Sequence, residues 1–138
     1  MLKQLTIMVA AILLAGCSGS DIGRVSGTVT MDGSPLPNAN VEFFPQPTGR
    51  PSTGVTDKDG KYELTYTREA MGAKVGEHRV QITTAGMGPS EGGYGGNSKE
   101  TVPARYNVKS ELTAKVESGS NKHDFQLDGS GEIIQSTY

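Results

Sequence analysis

Gly54-Val55-Thr56-Asp57-Lys58-Asp59-Gly60-Lys61-Tyr62-Glu63-Leu64 is the stretch that decides the fold. Gly54 to Thr56 reads as a short strand and Tyr62 to Thr67 as its return. Between them Asp57 is placed to accept backbone N–H groups, and Gly60 to take a positive φ. Tyr62, Leu64 and Tyr66 fall on one face, the period of two expected of a half-buried strand. Two carboxylates two apart before a glycine also match the opening of a calcium loop. An EF-hand needs a glutamate at its twelfth position, and Arg68 stands there. The hairpin turn is the preferred reading, with Asp57 and Asp59 retained as calcium candidates.

Outward from this hairpin the same alternation recurs. Arg24 to Met31 places Val25, Gly27, Val29 and Met31 on one face and Ser26, Thr28 and Thr30 on the other. Asp32-Gly33 closes that strand, and Pro35 and Pro37 stop any helix. Asn40 to Phe44 follows, with Val41 and Phe43 together, and residues 46–53 read as a loop. Residues 68–77 have helical-turn character, although two glycines oppose a long helix. His78 to Thr83 has Val80 and Ile82 inward, Leu112 to Val116 alternates again, Ser118 to Asn121 turns, and His123 to Leu127 ends the series. About seven short strands separated by turn signals predict an all-β sandwich.

Val25-Ser26-Gly27-Thr28-Val29, then Pro37-Asn38-Ala39-Asn40-Val41, then Thr56-Asp57-Lys58-Asp59-Gly60-Lys61-Tyr62 resembles the carboxypeptidase regulatory-like domain family. Its pattern is V-x-G-x-V, P-x-A-x-V and a T-D-x-D-G-x-Y turn. Gly76 to Ile82 is similar to its G-x-Y-x-V strand, with His78 at the aromatic position. The resemblance covers residues 24–127 and implies a seven-stranded, Ig/transthyretin-like (prealbumin-type) β-sandwich. The segment Val102 to Asn107 and the closing Phe125-Gln126-Leu127 are similar to small planctomycete lipoproteins. Modules of the family are mostly non-catalytic accessory or surface domains, and the fold by itself implies no activity.

The leader supplies the address. Lys3 precedes an apolar run from about Leu5 to Gly16, which is shorter than the roughly 20 residues a spanning helix needs. Leu14-Ala15-Gly16-Cys17 completes a lipobox, so residues 1–16 read as a lipoprotein signal peptide. Diacylglycerol would be attached to Cys17 Sγ, with cleavage after Gly16. Two or three acyl chains hold a protein in a leaflet far more firmly than one. Residues 17–23 then form the lipidated cysteine and tether, 24–127 the sandwich, and 128–138 a flexible tail. The expected location is the cell envelope, facing the periplasm or the cell surface. Ser18 after the cysteine favours the outer membrane by analogy with enterobacterial sorting.

Composition narrows the function classes. The 138 residues carry a formal net charge of −2, and loss of Lys3 with the leader makes this more negative. No arginine-rich run is present, so nucleic acid is not an expected partner. Cys17 is the single cysteine, which leaves no disulfide to hold the domain. With no Trp and three Phe, the core must draw on Val, Leu, Ile and Tyr.

Four further chemistries have candidate residues in the sequence. His78 and His123 with the tyrosines could suggest an iron site like that of intradiol dioxygenases, which share a related sandwich. Those enzymes use a close H-x-H pair, and these two histidines are far apart in sequence. Hydrolases of the transthyretin-like class end in Tyr-Arg-Gly-Ser, whereas this chain ends Gln135-Ser136-Thr137-Tyr138. A Lys–Asn isopeptide crosslink needs a lysine in the first strand, and residues 24–31 contain none. The glycine-rich insert 86–97 lacks the Gly-Lys-Ser/Thr of a phosphate loop. It reads as a solvated loop in which Tyr94 could offer an aromatic platform.

The expected function is a non-catalytic, lipid-anchored envelope module that binds or scaffolds, with no cofactor. Its partners are the membrane through lipidated Cys17 and an envelope protein or glycan, with Tyr94 and Tyr106 as partner-binding candidates. A carbohydrate-binding surface protein using loop tyrosines, Tyr138 among them, is one alternative. A metal-dependent enzyme is the other.

Overall fold

The computed structural model describes residues 21–86, the backbone of residues 89–90 and 93–94, and residues 98–135. The elements in chain order are β1 (Ile22–Met31), β2 (Ser34–Pro35), β3 (Asn40–Pro45), β4 (Ser52–Val55), β5 (Lys61–Glu63), β6 (Ala73–Lys74), β7 (Gly76–Thr83), β8 (Pro89–Ser90), β9 (Gly93–Tyr94), a 3-10 helix (Ala104–Tyr106), β10 (Thr113–Val116), β11 (Ser120–Lys122) and β12 (Phe125–Leu127). All seven expected strands are present, as β1, β3, β4, β5, β7, β10 and β12. Five pieces of two or three residues are added to them among the described residues.

The chain forms an all-β sandwich of two sheets, with β8 and β9 as a separate hairpin. β1 is the spine of the first sheet. On one side it pairs in parallel with β11 at Arg24–Ser26 and β12 at Val29–Met31. On the other it pairs antiparallel with β6, β5 and β2 in turn. The second sheet runs β10-β7-β3-β4, all antiparallel.

The alternation predicted for β1 is what packs it. Val25 and Val29 are fully buried while Arg24 and Ser26 are exposed. Val41 and Phe43 answer from β3, and Val80 and Ile82 from β7. The Phe43 ring lies at the centre, with centroids 5.6 Å from His78, 5.9 Å from His123 and 6.2 Å from Phe125. These tilted and edge-on arrangements are the favoured aromatic geometries. Thr56 ties the chain just before β3: its buried hydroxyl donates to the Leu36 carbonyl (2.6 Å) and accepts from Ala39 N–H (2.9 Å).

Gly27 explains the glycine in the middle of the first strand. It faces Tyr62 across the pair with β5, and the neighbouring Ser26 carbonyl accepts from His123 N–H at 2.9 Å. A Cβ on Gly27 would sit 1.8 Å from the His123 carbonyl oxygen. Tyr62 spans the same gap, its hydroxyl donating to that oxygen at 2.5 Å. Burial and the nearby Asp124 charge push the Tyr62 phenol well above the ordinary tyrosine range, so it stays a donor.

Several local expectations are corrected. Tyr66 does not join the inner face, because β5 ends at Glu63 and the chain turns away; the ring is half-buried with the Arg50 guanidinium 5.8 Å from its centroid. Residues 68–77 hold no helical turn, and instead Ala73 is buried in β6 against Gly23. Ser120 and Asn121, expected in a turn, belong to β11. β4 starts at Ser52, two residues before the sequence pattern suggests. His78 shares the inner face with Val80 and is 1% exposed.

The registers also give the sandwich two distinct ends. Ile22 of β1 pairs with Lys74 of β6, which leads directly into the start of β7. β3 reaches this end with Pro45 beside His78, while its start, Asn40, lies beside Thr83 at the opposite end. The near end thus holds Ile22, the 46–51 loop and the start of β7. The far end holds Met31, Asn40 and Thr83.

Gly27→Ala is expected to destabilise the domain by more than about 2 kcal/mol, since backbone must shift to admit the methyl. Ser26→Ala on the exposed face should change stability by less than about 0.5 kcal/mol. Urea denaturation of both variants reads the difference; equal midpoints would remove the close-approach account of Gly27.

Candidate functional site

The far end is built around one carboxylate that the sequence pattern did not single out. β7 ends at Thr83, and Thr84, Ala85 and Gly86 lead into the glycine-rich insert; Ser98 and Lys99 lead out to Glu100. Glu100 is 6% exposed. Its Oε1 accepts from Thr84 N–H (2.9 Å), Thr84 Oγ1 (3.0 Å), Thr101 N–H (3.2 Å) and Val102 N–H (3.0 Å). Its Oε2 accepts a short hydrogen bond from Thr83 Oγ1. Burial raises the carboxyl's pKa, but the hydrogen bonds from Thr83, Thr84 and Val102 outweigh it and hold the group below the ordinary glutamate value.

The clamp closes the insert at its base. Gly86 N–H donates to the Ser98 carbonyl (2.9 Å), and Ser98 Oγ to the Thr84 carbonyl (3.0 Å). The backbone of the insert shows an antiparallel pair, Pro89 with Tyr94 and Ser90 with Gly93. The Tyr94 side chain lies outside the described residues.

Tyr106 sits on the 3-10 helix, and its ring packs against the core. The Arg105 guanidinium is 4.7 Å from its centroid, and its hydroxyl accepts from Asp128 N–H at 3.1 Å. Residues 128–135, expected as frayed, carry no strand but dock on this region. Ala104 N–H donates to the Glu132 carbonyl (2.7 Å), and Gln135 exchanges two 2.9 Å hydrogen bonds with the Glu100 backbone.

The Asp57–Gly60 turn has the expected form. Asp57 Oδ1 accepts from Asp59 N–H (2.9 Å) and Lys61 N–H (3.0 Å), and Gly60 has φ +74°. Asp59 is exposed and brings no further ligand to the turn. The histidines are each tied to a carbonyl, His78 Nε2 to Lys74 (2.6 Å) and His123 Nε2 to Lys115 (3.0 Å). Those bonds place the Nε2 proton on each ring by geometry. His78 Nδ1 is buried with no hydrogen-bond partner among the described residues. Among the described residues, no three of His, Cys, Asp and Glu gather closely enough to hold a metal ion.

A groove of about 500 Å³ crosses the β1–β5 face, lined by Asp57, Lys61, Glu63 and Lys122 among others. Its charges are mixed. A second, of about 490 Å³, lies at the near end between Arg50, Pro51, Thr53, Thr65, Tyr66, Thr67 and Arg68. Cys17 and Tyr138 lie outside the described residues.

The carboxypeptidase regulatory-like domain family matches residues 24–127. No curated protein matches the chain. Among solved structures, a DUF3823 family protein from Parabacteroides merdae is similar, with 17% identity over 76% of this chain and a TM-score of 0.41. The chain spans 45% of that protein's length.

Glu100→Gln should lower stability by roughly 1–3 kcal/mol at neutral pH, because the amide cannot accept at both positions. Glu100 is depressed in the folded state, so its contribution is full above the unfolded value near 4.5 and disappears as pH falls through the folded value. The gap between parent and variant should therefore hold down to about pH 4.5 and shrink below it, in urea titrations across pH. A gap that persists at strongly acidic pH would show that the carboxylate charge is not what the clamp uses. Asp57→Ala should cost about 1 kcal/mol and Asp57→Asn less, as expected of a turn acceptor. Added calcium should leave the parent Tm unchanged; a calcium-dependent rise would restore Asp57 and Asp59 as ligands.

Proposed function

The chain belongs to the carboxypeptidase regulatory-like domain family, and on that premise we propose that it is a non-catalytic binding or scaffolding module, held in the cell envelope by lipid on Cys17. One observation carries the non-catalytic reading: apart from the exposed Asp59, the polar and glycine positions of the family pattern are used by the fold itself. Gly27 admits the His123 backbone, Asp57 and Gly60 make the turn, Thr56 bonds Leu36 and Ala39, and Tyr62 bonds His123. None is left aimed at a reacting group.

The anchoring reading rests on Leu14-Ala15-Gly16-Cys17. Geometry agrees with a division of labour between the ends. Cys17 precedes Asp21 by four residues, a reach of at most about 14 Å. The near end is therefore the one that faces the leaflet. The insert opens at the far end, on a base tied by Glu100, where it is presented away from the membrane. A firm base lowers the ordering cost that a binding loop pays on meeting a partner.

Two measurements test this. Intact mass of the protein taken from membranes should exceed that of residues 17–138 by attached acyl chains, and Cys17→Ser should move it to the aqueous fraction. Cross-linking in cells followed by detergent extraction should capture a partner that is lost when residues 87–97 are replaced by Gly-Gly. A partner retained by that variant would take the binding role away from the insert. Saturable turnover of a glycan, ester or peptide would overturn the module reading altogether.

A further inference from the structure

The near end carries a surface that the binding role of the insert does not use. Arg50 and Arg68 line one groove with the hydroxyl-bearing Thr53, Thr65 and Thr67 and the half-buried Tyr66. The groove has a fixed floor. Thr53 and Thr65 exchange backbone hydrogen bonds of 3.1 and 2.8 Å, stitching the edge of the second sheet to the segment that follows β5. Arg50 is oriented by its Nε bond to the Tyr66 carbonyl at 3.0 Å. Neither arginine is in an ion pair among the described residues, and Arg68 makes no hydrogen bond there. No acidic side chain lines the groove.

Beside it, two large apolar side chains face solvent. Met71 is 41% exposed and Val75 44%. Met71 is bridged to Thr65 of the groove, and Val75 N–H donates to the Asp21 carbonyl at 2.8 Å. Asp21 directly precedes β1, so Val75 lies beside the start of that strand. The exposed Lys74 is its neighbour.

We propose that this near-end surface rests on the leaflet that holds Cys17, with Arg50 and Arg68 taking the phosphate of a lipid headgroup and Val75 and Met71 reaching the acyl boundary. The inference deepens the anchored-module reading and depends on its lipidation. Three features select a headgroup as the occupant. The tether keeps this end within about 14 Å of the lipid attachment. Guanidinium groups suit phosphate, binding it through paired N–H donors. Apolar tips beside cations match a surface that sits at an interface, apolar part inward and charge at headgroup level. Asp21, Glu69, Glu77 and Glu117 also belong to this end, so its net charge does not draw it to an anionic plane; recognition falls to the two arginines of the groove. An extended peptide finds no free ladder here, since Thr53 and Thr65 spend their backbone groups on each other.

The test uses the full-length acylated protein in vesicles. Cys17 is the only native cysteine and is blocked by lipid, so a single new cysteine takes a fluorophore cleanly. Ser118→Cys labels an exposed near-end loop and Ser34→Cys an exposed residue of β2 at the far end. In phosphatidylglycerol vesicles, a quencher on the acyl chains should dim the label at 118 strongly and the label at 34 little. Replacing the lipid by uncharged galactosyl diacylglycerol, or adding Arg50→Ala with Arg68→Ala, should reduce quenching at 118 severalfold. Arg68→Ala alone should act in the same direction, and its lack of contacts makes it safe for the fold. Equal quenching at 118 and 34 in the acylated protein overturns this inference and leaves the anchored module standing. Absence of acyl chains by mass overturns both. Undiminished quenching in the double variant or the galactolipid overturns the phosphate assignment. Release of the near end by inorganic phosphate assigns the groove to the free ion instead of the headgroup.

Discussion

The fold depends on the close approach of three backbones at Gly27. β1 lies between β5 on one side and the return of the chain through His123 on the other. The sheet closes there only because position 27 has no Cβ: a methyl would meet the His123 carbonyl at 1.8 Å. Tyr62 then locks the gap, donating to that carbonyl from a strand paired opposite. The five segments that pair with β1 are drawn from positions between 34 and 127, so widely separated stretches of chain are registered against the same ten residues. Such long-range pairings cost loop-closure entropy before they stabilise anything. They persist because the same strand also presents Val25 and Val29 to the core under Phe43.

This architecture separates the two ends chemically. Parallel return strands on one flank of β1 and short antiparallel ones on the other leave no long edge exposed on the first sheet, a protection against pairing between molecules. At the far end a buried carboxylate satisfies backbone donors on both sides of the insert. At the near end, Arg50 and Arg68 line a groove beside the exposed Met71 and Val75. The Glu100 carboxylate and the Thr83 and Thr84 hydroxyls at the first bond one another, while among the described residues the Arg68 guanidinium at the second makes no hydrogen bond or ion pair.

How much was legible follows from the range of each signal. The Asp57–Gly60 turn could be read because its partners are within four residues. The alternation of β1, β3, β7 and β10 could be read because one face of each is buried. Glu100 was missed because its partners divide between Thr83 and Thr84 on one side of the insert and Thr101 and Val102 on the other. No local pattern distinguishes it from a surface glutamate. Tyr66 was placed on the inner face because its spacing from Leu64 fits a strand that in fact stops at Glu63. The docking of Gln135 on Glu100 has no local signature either.

By itself the sequence determined the all-β class, the turn at Asp57–Gly60 and the inward-facing residues of the long strands. These rest on periodicity, turn chemistry and a contiguous motif, all carried by neighbouring residues. Only the tertiary structure decided that β1 is the spine, that Glu100 ties the insert, and that Arg50 and Arg68 share a groove at the near end. Those facts depend on which distant segments meet, and that is set by how the two sheets close over one core rather than by any stretch of chain read alone.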